Sequence, residues 1–107
     1  MPPRLDQKQT ENINELMEAI LSLQDVDECR AFLKDLCTMQ ELISFSQRLQ
    51  VAKLLLAGET YESIRRQVPI SSSTITRINT ALQFGSGGYQ SVLRRLGSKT
   101  ANTSERE

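Results

Sequence analysis

The amino-acid sequence predicts an all-α protein, a small multi-helix domain of about six helices. Apolar residues recur at intervals of three and four, and no segment shows the strict alternation typical of a strand. Serine, threonine or aspartate precedes several of these segments, and glycine follows others, as expected at helix ends. Because the chain has 107 residues, it suffices for one core but not for two. We therefore predict one domain over 1–97 and a disordered polar tail over 98–107.

Three longer helices are predicted in the first half of the chain. Helical spacing places the first at about 7–23 and the second at about 27–37. Thr38 and Glu41 have the spacing of a capping box, so a long third helix should start there. Gly58 stands where a left-handed C-terminal cap is expected. Since the apolar residues of this third helix cover more than one side, it needs burial on more than one side.

The second half of the chain is predicted to form shorter helices. Thr60 caps a helix of about seven residues, which the sequence Val-Pro-Ile at 68–70 interrupts. A serine-capped helix follows at about 72–82. The glycine-rich segment 85–88 ends it, and a last helix is predicted at about 89–96.

The two short helices within 60–82 have the spacing of a helix-turn-helix. The positions predicted to face inward are all apolar: Ile64, Val68, Ile70, Ile75 and Ile78. The outer face of the second helix carries small polar groups that can approach base edges and phosphates closely. Its members are Ser72, Ser73, Thr74, Thr76, Arg77, Asn79, Thr80 and Gln83. Arg65 and Arg66 on the preceding helix, together with Arg77, are predicted to contact the phosphate backbone.

The distribution of charge supports this segment as the DNA-binding one. The chain has 13 basic and 13 acidic residues and no net charge. Residues 1–57 nevertheless carry a net charge of −3, and residues 58–97 carry +3. Nucleic-acid binding depends on local charge, so the basic segment is the candidate. An uneven solvated surface is the alternative explanation of the same counts.

The composition argues against an enzyme, a metal site and a membrane protein. The chain has no histidine, so the usual zinc ligands and the cysteine–histidine nucleophile are missing. Cys29 and Cys37 are about 12 Å apart along the second helix and are predicted to be reduced core residues. The longest apolar run, at 54–57, is too short for a bilayer, and residues 1–8 lack the apolar region of a signal peptide. We expect a cytoplasmic protein without cofactors.

Four stretches, at 35–42, 48–64, 73–82 and 84–89, together resemble the Trp repressor superfamily and, within it, the Trp repressor-like YerC/YecD branch. Thr-Ile-Thr-Arg resembles the repressor itself, whereas Gly-Ser-Gly-Gly-Tyr is similar to the branch. The ordered combination of the four stretches is more specific than any one of them, and the resemblance covers roughly 30–96. It implies an all-helical, intertwined homodimer whose two helix-turn-helix units face successive major grooves of double-stranded DNA. The resemblance also implies contacts to DNA from Ser72, Ser73, Thr74 and Thr76, with Arg65 on the preceding helix. A partner chain would also cover the apolar sides of the third helix.

The resemblance further implies a co-repressor pocket, whose polar residues correspond to Thr38, Arg48 and Arg77. Ile78 stands where the family has a glycine that leaves room for an indole ring, and Ala81 stands where it has a serine. We therefore predict that Ile78 occludes the pocket and that tryptophan is not bound. Any other small-molecule effector stays unidentified.

The sequence thus predicts a sequence-specific duplex-DNA-binding transcriptional regulator, a repressor by resemblance, that acts as a homodimer. The alternative is a helical dimeric protein-interaction module that has inherited a helix-turn-helix without specific DNA binding. The three arginines Arg65, Arg66 and Arg77 discriminate between the two hypotheses, since only the first requires them.

Overall fold

The computed structural model describes the backbone of residues 4–106 and the side chains of residues 4–97. Within residues 4–106 it contains six α-helices and no strand, so the prediction of an all-α fold is confirmed. The helices are α1 (Gln7–Leu21), α2 (Val26–Leu36), α3 (Met39–Leu56), α4 (Tyr61–Gln67), α5 (Ser72–Phe84) and α6 (Gly88–Arg106).

The chain divides into two compact units, Met1–Leu42 and Ile43–Glu107. The first unit contains α1, α2 and the start of α3, and the second contains the rest of α3 together with α4, α5 and α6. The single domain over 1–97 stays a prediction.

Side-chain caps fix the starts of the helices. Asp25 Oδ1 accepts a hydrogen bond of 2.8 Å from the Glu28 amide at the start of α2. At the start of α3, Thr38 Oγ1 accepts from the Glu41 amide at 3.1 Å, and Glu41 Oε1 accepts from the Thr38 amide at 2.8 Å. Backbone donors that lack partners inside a helix are satisfied in this way. The predicted capping box is confirmed.

The end of α3 is fixed by a left-handed glycine. Gly58 has a φ of 87°. Its amide donates to the Leu55 carbonyl oxygen at 3.0 Å, and the Glu59 amide donates to the Leu54 carbonyl oxygen at 3.0 Å. These two bonds form a Schellman motif, which requires a positive φ at its turning residue. The predicted glycine cap is confirmed.

A small apolar core lies in the second unit. Its buried members come from α3, α4, the following turn and α5: Val51, Ala52, Ile64, Val68, Ile75 and Ile78. Half-buried side chains pack against them, namely Leu54, Leu55, Tyr61, Ile70, Leu82, Tyr89 and Leu93. Every position predicted to face inward from the helix-turn-helix therefore belongs to this core or packs on it.

Many large apolar side chains lie outside this core. No residue of α1 or α2 is buried. The exposed set, called the exposed apolar set below, comprises Leu5, Ile13, Met17, Ile20, Leu21, Val26, Leu36, Met39, Ile43, Phe45, Leu56, Phe84, Val92 and Leu96. All of them except Leu5 and Phe84 lie on α1, α2, α3 and α6. Single exposed apolar residues are ordinary on a protein surface, but a set of this size indicates an interaction surface.

The last helix differs from its predicted extent. α6 continues to Arg106, whereas the sequence predicts an end near 96 and a disordered tail over 98–107. No proline follows Gly97, and the polar residues of 98–106 reduce helix stability only modestly. The backbone of 98–106 is accordingly helical, and residue 107 lies outside the described residues.

Candidate nucleic-acid interface

α4 and α5 are two short helices joined by the four-residue turn 68–71. Thr60 Oγ1 accepts a hydrogen bond of 3.1 Å from the Ser63 amide and caps α4. Ser71 Oγ accepts one of 3.3 Å from the Thr74 amide and caps α5. The two caps define where each helix starts, and the connectivity is that of a helix-turn-helix.

One side of α5 is held against the core, and the opposite side is free. Ile75 and Ile78 are buried, and Leu82 is half-buried against the same cluster. Asn79 Nδ2 also donates a hydrogen bond of 3.5 Å to the hydroxyl oxygen of Tyr61 at the start of α4. Because these contacts fix the rotation of α5 about its own axis, the same polar side chains always face outward.

The side chains predicted to contact DNA lie mainly on this outward surface. Six of them are exposed: Arg65, Arg66, Ser72, Ser73, Thr76 and Arg77. Thr74 is half-buried, and its hydroxyl lies 2.9 Å from Ser71 Oγ. Its position beside the cap suits it to orient the start of α5 as well as to approach a phosphate.

The arginines of this surface carry unneutralised charge. Within residues 4–97 the one ion pair joins Arg30 of α2 to Asp27 at 3.3 Å. Arg65, Arg66 and Arg77 therefore have no carboxylate partner among the described side chains. Exposed guanidinium groups in this state can meet phosphate oxygens without first breaking an ion pair.

Some hydroxyl groups of α5 are already engaged within the helix. Thr76 Oγ1 donates to the Ser72 carbonyl oxygen at 3.0 Å, and Thr80 Oγ1 donates to the Thr76 carbonyl oxygen at 2.9 Å. Serine and threonine inside helices commonly bond to the carbonyl four residues earlier. The spacing 72, 76 and 80 is the signal in the sequence for this pattern.

A pocket of about 220 Å³ adjoins α5. It is lined by Arg48, Thr74, Arg77, Ile78, Ala81 and Tyr89. The structure therefore brings together the two arginines of the predicted co-repressor pocket. Thr38 is not among the lining residues and is the N-cap of α3. Tyr89 was not predicted here, and only its position directly after the glycine-rich break pointed to it.

Ile78 lies between this pocket and the core. Its side chain is 3% exposed and belongs to the buried cluster. Arg48 stacks on the exposed Phe45, with its guanidinium carbon 5.7 Å from the ring centroid. A cation over an aromatic face is an attractive contact, so Arg48 is partly oriented by its own helix.

The capping box at the start of α3 changes the acidity of Glu41. The hydrogen bond from the Thr38 backbone amide, and then that with the Thr38 side chain, lowers the pKa of Glu41 below its ordinary value. Hydrogen bonds to a carboxylate favour its charged form. The charged form is also the one that a helix N-terminus stabilises.

The described residues offer neither a metal site nor a membrane-spanning helix. There, no group of three or more Cys, Asp or Glu side chains is placed to hold a metal ion. Cys29 and Cys37 are both free thiols and half-buried. No helix in the described part of the chain combines the length and apolarity needed to cross a membrane.

The chain is similar to proteins of one family. The family model described as Trp repressor protein matches residues 11–97. The uncharacterized protein YerC of Bacillus subtilis (strain 168) is 38% identical over 93 residues, which cover 87% of this chain and 89% of that protein.

Two solved structures are similar to this one. A TrpR-like protein from Eubacterium eligens ATCC 27750 matches with a TM-score of 0.80 at 43% identity, over 86% of this chain and 96% of that one. A proposed Trp repressor from Staphylococcus aureus matches with a TM-score of 0.78 at 40% identity, over 87% of this chain and 96% of that one.

Proposed function

Because this chain belongs to the Trp repressor family, a family of DNA-binding regulators, we propose that it is a sequence-specific duplex-DNA-binding transcriptional regulator. It acts as a homodimer in the cytoplasm, catalyses no reaction and does not respond to tryptophan. The observation that carries the proposal is the outward surface of α5, where small polar side chains and Arg77, which has no carboxylate partner among the described side chains, lie opposite a buried apolar stripe.

The chemistry of this surface suits a duplex. Arg65 and Arg66 on α4 and Arg77 on α5 are exposed and supply positive charge to the sugar-phosphate backbone. Contacts of this kind dominate affinity and make it depend on salt. The short side chains of Ser72 and Ser73 let the start of α5 come close to base edges in a major groove.

The exposed apolar set supports a homodimer. Its members lie mostly on α1, α2, α3 and α6, while the buried core is confined to residues between Val51 and Ile78. A second copy of the chain would cover these faces, because in a two-fold dimer the same surface of each chain forms the interface. A two-fold dimer would then place its two α5 helices at half-sites about one turn of DNA apart.

Two residues support the absence of a tryptophan response. Ile78 is fixed in the core beside the pocket, and Ala81 contributes no hydroxyl to it. By resemblance to the family, Ile78 occupies space that an indole ring would need, and Ala81 replaces the polar partner of the ligand amine. Calorimetric titration with tryptophan should give no heat of binding. A micromolar isotherm would contradict this part of the proposal.

The proposal is tested by selecting bound sequences from a random pool of duplexes. The affinity for the selected site is then measured by fluorescence anisotropy. Replacing Arg65, Arg66 and Arg77 together with alanine should weaken binding at least tenfold, because each loses a contact to the duplex. Replacing Arg4, Lys8 and Lys34 with alanine is the matched control, since it removes the same charge from exposed positions of the other unit.

The outcomes separate the two hypotheses. DNA binding that is lost in the first variant and kept in the control supports the regulator. Equal losses of affinity in both variants would show that binding depends on the net charge of the protein and not on these three positions. If the wild-type protein selects no sequence at all, the regulator hypothesis fails, and the protein-interaction module takes its place.

A further inference from the structure

We propose that Thr76 reads thymine through its methyl group, and that its hydroxyl does not act as a hydrogen-bond donor to the duplex. This inference rests on the proposed function, because it assumes that the outward surface of α5 enters a major groove. It names one base type that the half-site must contain opposite this helix.

The Thr76 hydroxyl is directed back toward the preceding turn of its own helix. Thr76 Oγ1 donates its hydrogen to the Ser72 carbonyl oxygen at 3.0 Å. Thr80, one turn later, makes the same bond to the Thr76 carbonyl oxygen at 2.9 Å. The repeat places Ser72, Thr76 and Thr80 in one row along the exposed side of the helix.

The hydrogen bond decides which atoms Thr76 has left to offer. A hydroxyl has a single hydrogen, which is committed to the helix, and only its lone pairs remain available. With Oγ1 turned back toward the backbone, the methyl carbon Cγ2 is the other heavy atom on Cβ that can face a ligand. Thr76 therefore presents a methyl group and an acceptor, and it has no donor.

These groups match some base edges and not others. Guanine shows two acceptors in the major groove, N7 and O6, and phosphate oxygens are acceptors too. A residue without a donor makes no good contact with either. Thymine carries a C5-methyl group there, which packs against a threonine methyl.

Other residues supply the hydrogen-bond donors on the outward surface of α5. Ser72 Oγ makes no hydrogen bond to any described group, and Arg77 has no ion pair among the described residues. Both can donate to phosphate or guanine. The two kinds of group are neighbours on α5, so phosphate positioning and thymine readout fall to different side chains.

The test combines two substitutions with one change in the DNA. Thr76→Val keeps a methyl group and removes the hydroxyl, whereas Thr76→Ser keeps the hydroxyl and removes the methyl. In the selected site each thymine is replaced in turn by deoxyuridine, which lacks only the C5-methyl group. Thr10 is the matched control, because its Oγ1 makes the same bond to the Asp6 carbonyl oxygen at 3.1 Å on α1.

At one thymine per half-site, deoxyuridine should weaken wild-type binding about fourfold, the equivalent of ~0.8 kcal/mol for one buried carbon group. Thr76→Val should bind within twofold of the wild type and show the same deoxyuridine effect. Thr76→Ser should lose about fourfold and show no further loss with deoxyuridine. Thr10→Val and Thr10→Ser should leave affinity unchanged.

Three results would contradict the inference about Thr76. Loss of affinity in Thr76→Val with none in Thr76→Ser would make the hydroxyl the contacting group and overturn the inference while the regulator stands. If no replacement of a thymine by deoxyuridine changes the affinity, the inference is also overturned and the regulator stands. Failure of the wild type to bind any duplex would overturn the proposed function, and the inference with it. Circular dichroism of each variant separates a loss of contact from a loss of folding.

Discussion

Asn79 Nδ2 donates a hydrogen bond to the Tyr61 hydroxyl oxygen over 3.5 Å, and among the described residues this is the one hydrogen bond between α4 and α5. The two residues are 18 positions apart, at the start of one helix and in the middle of the next. The contact adds a directional link to an interface that is otherwise apolar.

Removing this link should cost little stability. We expect Tyr61→Phe to lower the free energy of unfolding by about 0.5 kcal/mol, the lower end for a hydrogen bond, because the bond is long. Tyr89→Phe is the control, since the Tyr89 hydroxyl has no hydrogen-bond partner among the described residues. Urea denaturation of both variants measures the difference. A loss in Tyr89→Phe as large as that in Tyr61→Phe would contradict this account.

The glycine that ends α3 should resist substitution. Gly58 has a φ of 87° and no neighbour within 4 Å of an added Cβ, so only backbone strain opposes a side chain. Gly58→Ala is expected to cost about 1–2 kcal/mol. Gly97→Ala, inside α6 and equally free of neighbours, is expected to be neutral or to stabilise by up to about 1 kcal/mol. Thermal unfolding should show a loss of stability in Gly58→Ala and none in Gly97→Ala, and equal losses would refute the prediction.

Titration of Glu41 should report on the capping box. Because hydrogen bonds lower its folded pKa below the unfolded value, its contribution to stability is present above the unfolded pKa and is lost as the pH falls through the folded pKa. In an NMR titration, Thr38→Val should raise the pKa of Glu41 toward its ordinary value, though not fully, since the backbone bond remains. Ser46→Ala should have no effect. An unchanged midpoint in Thr38→Val would show that the hydroxyl plays no part.

The exposed apolar set should hold two copies of the chain together. Replacing Met17 and Ile20 of α1 with glutamate places charge on this surface and should convert the dimer to a monomer in sedimentation experiments. Asn14→Glu on the same helix is the control, because Asn14 is exposed and polar. Helix content should be kept, as neither position is part of the buried core. A dimer that survives both changes would place the interface elsewhere.

Local signals in the sequence were sufficient for the fold. The capping residues Thr38 and Thr60, the glycine at 58 and the inward positions from Ile64 to Ile78 each depend on contacts within a few residues or on helical spacing. Such signals are strong for helices. The end of α6 was placed too early, because a polar sequence without proline does not itself mark where a helix stops.

The side-chain arrangement on the outward surface of α5 was harder to predict from the sequence than the core was. Exposure of Arg65 and Arg77 follows from helical spacing, but the turn of the Thr76 hydroxyl toward Ser72 is a choice of rotamer that spacing does not determine. Likewise, Tyr89 joins Arg48 and Arg77 around one pocket only because three separate helices meet there. Contacts between residues far apart in the sequence leave no local pattern from which they could be predicted.

Binding to the selected duplex across a range of salt concentrations tests most directly whether α5 and the arginines of α4 and α5 form a DNA-binding surface. The logarithm of the association constant should fall linearly with the logarithm of salt concentration, by about 0.9 for each phosphate contact. The slope should become shallower by about one per contact when Arg65, Arg66 and Arg77 are replaced. Absence of binding at micromolar protein in about 50 mM salt, or an affinity indifferent to salt, would contradict the account.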